Sequence, residues 1–152
     1  MGAMPFVIKN SEELSKQAAP VAQNSELLDI RTFQLHAEIL DIAASGELKD
    51  IMSLDTTLGV AREGTNLSYH FEHELILKGK NGQDAVKIQV HLAALFRFPA
   101  ENEPGGEVTE DSLIAFGQTT AHFAVHPYLR VAVSDLTARL GCPPVTLALL
   151  KR

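Results

Sequence analysis

Tryptophan is absent from this 152-residue sequence, and cysteine occurs once. One cysteine excludes an internal disulfide and fits a reducing, cytoplasmic setting. Cys142, set between Gly141 and Pro143, reads as a packing residue rather than a nucleophile. No apolar run approaches the roughly 20 residues needed to span a bilayer, so membrane insertion is not expected. Residues 1–18 also lack the continuous apolar core of a signal peptide. Basic residues are outnumbered, 13 against 19 acidic, for a formal net charge of −6. Such a balance offers no basic face to nucleic acid or an anionic membrane. Catalytic motifs are missing too: no Gly-x-Ser-x-Gly, no glycine-rich phosphate loop, no His-Glu-x-x-His. These absences point away from an enzyme, and nothing in the sequence asks for a cofactor.

What remains is ordinary for a globular chain, 45% hydrophobic and 21% charged. A chain of this length buries roughly 70% of its unfolded surface in one core, without staples. Residues 1–26 read as a leader to that core. Met1-Gly2-Ala3 before Met4 looks like a tag remnant, and a short amphipathic helix follows, with Asn10 as its cap, Glu13 answering it and Pro20 stopping it. Residues 27–152 then form a single domain.

From Leu27 the hydrophobic period is two. Phe33, Leu35, Ala37 and Ile39 alternate with Gln34, His36 and Glu38, as on a half-buried strand. A small-residue crossover over 41–47 leads to a second run, Met52, Leu54, Thr56, Leu58 and Val60, with Gly59 and Gly64 marking its far end. The third strand puts Leu67, Tyr69, Phe71, His73, Leu75 and Leu77 on one face. Lys80-Asn81-Gly82 turns it into a fourth, with Val86, Ile88, Val90, Leu92, Ala94, Phe96 and Phe98 facing the same way. The loop 100–107, with Pro104-Gly105-Gly106 and three glutamates, is expected to be solvated and mobile.

Thr109 caps a helix whose first turn carries Glu110 and Asp111, matching the positive end of the helix dipole. A second helix is expected from Pro127, which suits a first helical position, to Gly141 and the barrier Pro143-Pro144. Leu129, Ala132, Val133, Leu136 and Leu140 share its buried face. The order is a short helix, four antiparallel strands and two consecutive helices, an α+β arrangement.

Six histidines raise the question of a metal. Alternation sends His70 and Glu72 to one face and His73 to the other, leaving His70, Glu72, His91 and His36 with Glu38 on a solvated polar face. The acidic stretch Glu101, Glu103, Glu107, Glu110 and Asp111 reads as solubilising and dipole-matching charge, with attraction of a basic partner as the alternative.

The segments 123–130, Leu136-Thr137-Ala138-Arg139-Leu140-Gly141 and Pro143-Pro144-Val145-Thr146-Leu147 resemble the C-terminal signature of SecB-type export chaperones. The phrasing at 135–140 and 143–147 is closer to the SecB-like chaperones of toxin–antitoxin–chaperone systems. Pro127, Tyr128, Arg130, Arg139, Pro143 and Pro144 carry that signature in a structural role. The resemblance implies a Greek-key sheet, a homo-oligomer built as a dimer of dimers, and an ATP-independent holdase in the cytoplasm. Its clients would be non-native polypeptides, either preproteins handed to the SecA motor or an antitoxin. Three departures stand out. Val131 replaces the usual glutamate, leaving Arg130 to find another partner. The sequence ends at Arg152 without a second helix and acidic tail. The fourth strand's polar face, Lys87, Gln89 and His91, is not the acidic patch that meets the motor.

Apolar residues beyond the needs of a four-strand core are the candidates for client contact: Leu40, Ile42, Leu48, Ile51 and Met52 around the crossover, and Val145, Leu147, Leu149 and Leu150 after the last helix. Residue pattern alone leaves two further uses open, sealing the domain's own core or an oligomer interface. The resemblance favours client binding; the alternative is a structural oligomerisation or small-ligand-binding module without chaperone activity.

Overall fold

The period-two runs form four strands in a computed structural model that describes residues 7–51 and 54–151. They are β1 (Glu26–Ile39), β2 (Asp55–Glu63), β3 (Asn66–Lys78) and β4 (Asp84–Arg97). All neighbours are antiparallel in the order β1-β4-β3-β2. Hairpins join β2, β3 and β4, while β1 lies beside β4 after a long crossover, which is Greek-key connectivity. Asn81 and Gly82 lie where a turn was expected, but the loop is wider than a two-residue hairpin. The Gly79 N–H donates to Gln83 O, and the crossover docks on the loop through a bridge between Leu48 and Gly79. A four-residue turn of helix, α2 (Ile42–Ser45), sits in that crossover, capped by the Asp41 carboxylate on the Ala44 N–H.

Alternation on β3 and β4 is as read from the sequence: Leu67, Tyr69, Phe71, His73, Leu75 and Leu77 are buried, as are Val86, Ile88, Val90, Leu92, Ala94 and Phe96. On β1 the ladder is broken twice, between Leu27 and Asp29 and at Phe33. The register shifts between Thr32 and Gln34, so Phe33 is the extra residue of a bulge. Leu35, Ala37 and Ile39 pair with the inward residues Val90, Ile88 and Val86, whereas Phe33 turns to the opposite face and is 55% exposed. It packs there against His70 and His91, at ring separations of 5.1 and 5.0 Å.

The helices cover the sheet's apolar face. α3 (Glu110–Phe116) starts as expected, with Thr109 Oγ1 accepting from the Ser112 N–H. It does not stop at Pro127. It runs through a π-helical turn, Gly117–Ala121, into α4 (His122–Arg139), and Pro127 lies inside α4. The junction falls at Gly117 because the helix meets the sheet there. A Cβ on that residue would sit 2.6 Å from Tyr69 Cδ1 and 2.9 Å from Leu58 Cδ2, so only glycine allows the approach. The π turn then re-aims the following residues, placing Val125, Leu129 and Val133 in the core. Each contributes roughly 1.5–3 kcal/mol by burial. Tyr69, Phe96 and Phe116 meet as an aromatic cluster beneath this turn, and Tyr69 Oη donates to Leu113 O at 2.8 Å.

At its far end α4 closes in a Schellman arrangement. Gly141, at φ 81°, allows the Cys142 N–H to reach Thr137 O and its own N–H to reach Ala138 O, both at 3.0 Å. α1 (Ser11–Ala22) continues past Pro20, which occupies its last turn, and Asn10 stands at φ 56° without a side-chain cap. Ala18 and Val21 are buried in the common core. The loop after β4 is pinned rather than loose: Arg62 donates to Pro99 O at 2.9 Å and to Gly106 O, and stacks over Phe98.

Candidate functional site

Three regions collect apolar or titratable side chains outside the plain sheet–helix packing. The first is a groove of about 540 Å³ between β1, a sheet edge, and the outer side of α4. It is lined by Thr32, Leu35, Pro127, Tyr128, Val131, Ala132 and Asp135. Val131 is 69% exposed, and Tyr128 and Leu35 about half, so three large apolar side chains face water together. Leu27 and Leu28 extend this exposed apolar series along β1. Pro127 and Tyr128, expected to be structural, thus line an open surface.

The second region is the crossover. Ile42 is 77% exposed and Leu40 nearly half exposed, whereas Leu48 and Ile51 are half-buried and pack on the core. Met52 lies outside the described residues.

The third is the extended segment 143–151, which turns back along α4. Leu147 is 1% exposed, so the domain's own core takes it, and Val145 and Leu150 pack against that core. Of these four apolar candidates, Leu149 is the exposed one, at 60%. α4 holds the segment through side chains. Thr137 Oγ1 accepts from the Val145 N–H at 3.2 Å, Arg130 Nε donates to Leu147 O at 2.9 Å, and His126 Nε2 donates to Ala148 O at 2.8 Å. Arg130, left by Val131 without a neighbouring acid, therefore finds a carbonyl. Arg139 instead makes an exposed pair with Asp135 at 2.9 Å, a contact of small energetic weight. Pro143 and Pro144 are exposed beyond the helix end.

Histidines separate by face. On the outer face His70 Nδ1 and His91 Nε2 share a hydrogen bond of 3.0 Å under Phe33. Burial first, then the charge of His91, lowers the His70 pKa. No three His, Cys, Asp or Glu side chains among the described residues converge as a metal site. On the inner face His73 bonds to Thr56 Oγ1 at 2.9 Å, and His122 stacks on Phe71 at 5.4 Å. Burial pushes His73 down to about 3 and His122 to about 4, with repulsion from the other histidines adding to it. Burial also lowers His126. The sequence signal for His73 was its place in an apolar alternation; His122 and His126 carried none.

The outer face also holds more acid than β4 alone suggests. Asp55 and Glu74, paired across β2 and β3, join Glu72, Gln89 and His91 around a cleft of about 320 Å³.

No family model matches the chain. Two curated relatives, the SecB-like chaperones Rv1957 and MT2006 of Mycobacterium tuberculosis strains H37Rv and CDC 1551, are each 43% identical over 70 residues. The match covers 46% of this chain and 38% of theirs. The solved Rv1957 SecB-like chaperone, in complex with a ChAD peptide from the Rv1956 HigA1 antitoxin, aligns with a TM-score of 0.79 and 28% identity. That alignment covers 94% of this chain and 99% of that one. The chain is thus similar in sequence and in fold to a SecB-like chaperone, as its C-terminal signature indicated, and the α+β architecture expected from the pattern holds.

Proposed function

We propose that this protein is an ATP-independent holdase that binds extended, non-native polypeptide, with an unstable antitoxin as its client. The observation that carries this reading is the exposed apolar surface of the crossover, with Leu40 and Ile42, and of Leu149, which the single chain leaves uncovered. Burying such surface against an unfolded segment provides affinity without nucleotide. The likeness to a chaperone solved with an antitoxin peptide supports the client class. Client contacts are assigned to Leu40, Ile42 and Leu149, flanked by the half-buried Leu48, Ile51, Val145 and Leu150. Met52 keeps its place in the proposal by its position in the crossover.

The groove of Leu35, Tyr128 and Val131 beside the β1 edge is assigned to a second copy, giving a homo-oligomer such as a dimer of dimers. An assembly of this kind would work in the cytoplasm. A second reading, transfer of preproteins to the SecA motor, is favoured by one feature: the acidic cleft of Asp55, Glu72 and Glu74.

Aggregation of a chemically unfolded client, followed by light scattering with the chaperone at stoichiometric amounts, tests the main reading. The protein should delay aggregation, and Ile42→Ser should shorten that delay. If the parent protein gives no delay, the holdase reading fails.

A further inference from the structure

The segment 143–151 is held by α4 through its main chain. Thr137, Arg130 and His126 all contact its main chain, at Val145 N, Leu147 O and Ala148 O. At its end Lys151 O accepts from the Ile8 N–H at 2.8 Å. One side chain, Leu147, is fully enclosed; Thr146, Ala148 and Leu149 point outward. Main-chain hydrogen bonds along an extended segment, with Leu147 as its deep anchor and Val145 and Leu150 packed beside it, form a peptide-recognition geometry in which affinity comes from the backbone and selectivity from the apolar pockets.

We infer that this slot on α4 is a polypeptide-binding site occupied by the chain's own segment 143–151, and that an extended client with an apolar residue in the place of Leu147 displaces it. This rests on the holdase reading and refines it: the client takes the place of the segment that carries Val145, Leu149 and Leu150 and does not lie on top of it. The donors and acceptors suit the role. Arg130 Nε and the His126 N–H can serve any backbone carbonyl, and Thr137 Oγ1, whose one proton is shared between Val133 O and Ser134 O, has lone pairs for any incoming N–H. Self-occupation keeps the Leu147 pocket dry, and keeps these polar groups paired, until a client competes.

Hydrogen–deuterium exchange on the full chain tests the displacement directly. With a saturating amount of a reduced, carboxymethylated protein as unfolded client, the Val145 amide, which Thr137 Oγ1 holds, should exchange at least tenfold faster than in the free chain. A second arm uses Leu147→Ser, which weakens the segment and leaves the slot intact. A synthetic peptide of residues 143–151 should bind this variant at least tenfold more tightly than it binds the parent, and should compete with the client. If the client binds while exchange at the Val145 amide stays unchanged, the slot is not a client site and the inference is overturned, with the holdase reading intact. If no client binds any form, the holdase reading itself has failed. Should the variant fail to fold, exchange on the parent chain decides alone.

Discussion

Acidification probes the buried histidines. His73 and His122 stay neutral in the fold because burial pushes their imidazoles down to about 3 and about 4. In the unfolded chain an imidazole takes its proton near pH ~6.5. Above that pH neither state is protonated, and the contribution to stability is complete. As pH falls through 6.5, the unfolded chain gains protons that the folded chain refuses, so stability drops until the folded values are reached. At pH 5 both folded imidazoles are still neutral, so the loss depends only on the unfolded chain. It amounts to about 1.5 pH units at about 1.36 kcal/mol each, or ~2 kcal/mol per histidine. The two together remove ~4 kcal/mol, a large share of a typical total of about 5–15 kcal/mol. His126 acts in the same direction. Urea denaturation followed by circular dichroism at pH 7.5 and pH 5 measures this, in a window above the ordinary carboxylate range. In His122→Phe, which keeps a ring stacked on Phe71, the loss between the two pH values should shrink by ~2 kcal/mol. Equal losses in parent and variant, or a parent stability that does not change with pH, would refute the assignment of neutral buried imidazoles.

Three further outcomes follow from single contacts. Gly141→Ala forces a Cβ onto a left-handed residue at φ 81° and should cost ~1–2 kcal/mol, read as a lowered urea midpoint. Gly117→Ala places a Cβ 2.6 Å from Tyr69 Cδ1. Its overpacking, about 1–3 kcal/mol, should exceed the ~1 kcal/mol gained from helix propensity, so a melting temperature above the parent's would contradict the close approach. Arg139→Ala, which loses only an exposed pair with Asp135, should stay within ~0.5 kcal/mol of the parent in the same denaturation assay.

Much of the candidate surface escaped a linear reading for identifiable reasons. Phe33 was legible as an inward residue because strict alternation assumes an unbroken ladder; one bulge reverses its face. Pro127 was legible as a helix start because proline suits that position, yet the π turn at Gly117–Ala121 already supplies the adjustment and α4 carries Pro127 internally. Leu147 and Ile42 look alike as surplus apolar residues, but one is enclosed and the other is open to water. Arg130 had no acid to predict its partner, and a main-chain carbonyl 17 residues later has no side-chain signature in a sequence.

Sequence by itself determined the four strands, the faces of β3 and β4, the Thr109 cap, the Gly141 stop and the likeness to SecB-like chaperones. Each of these rests on local periodicity, on backbone preferences of single residues, or on a short motif. Tertiary structure alone decided which apolar residues are left uncovered, where the helix meets the sheet, and that segment 143–151 lies in a slot on α4. Those outcomes depend on contacts between residues far apart in the chain, whose free energies exist only once the sheet, the helices and the returning segment have come together.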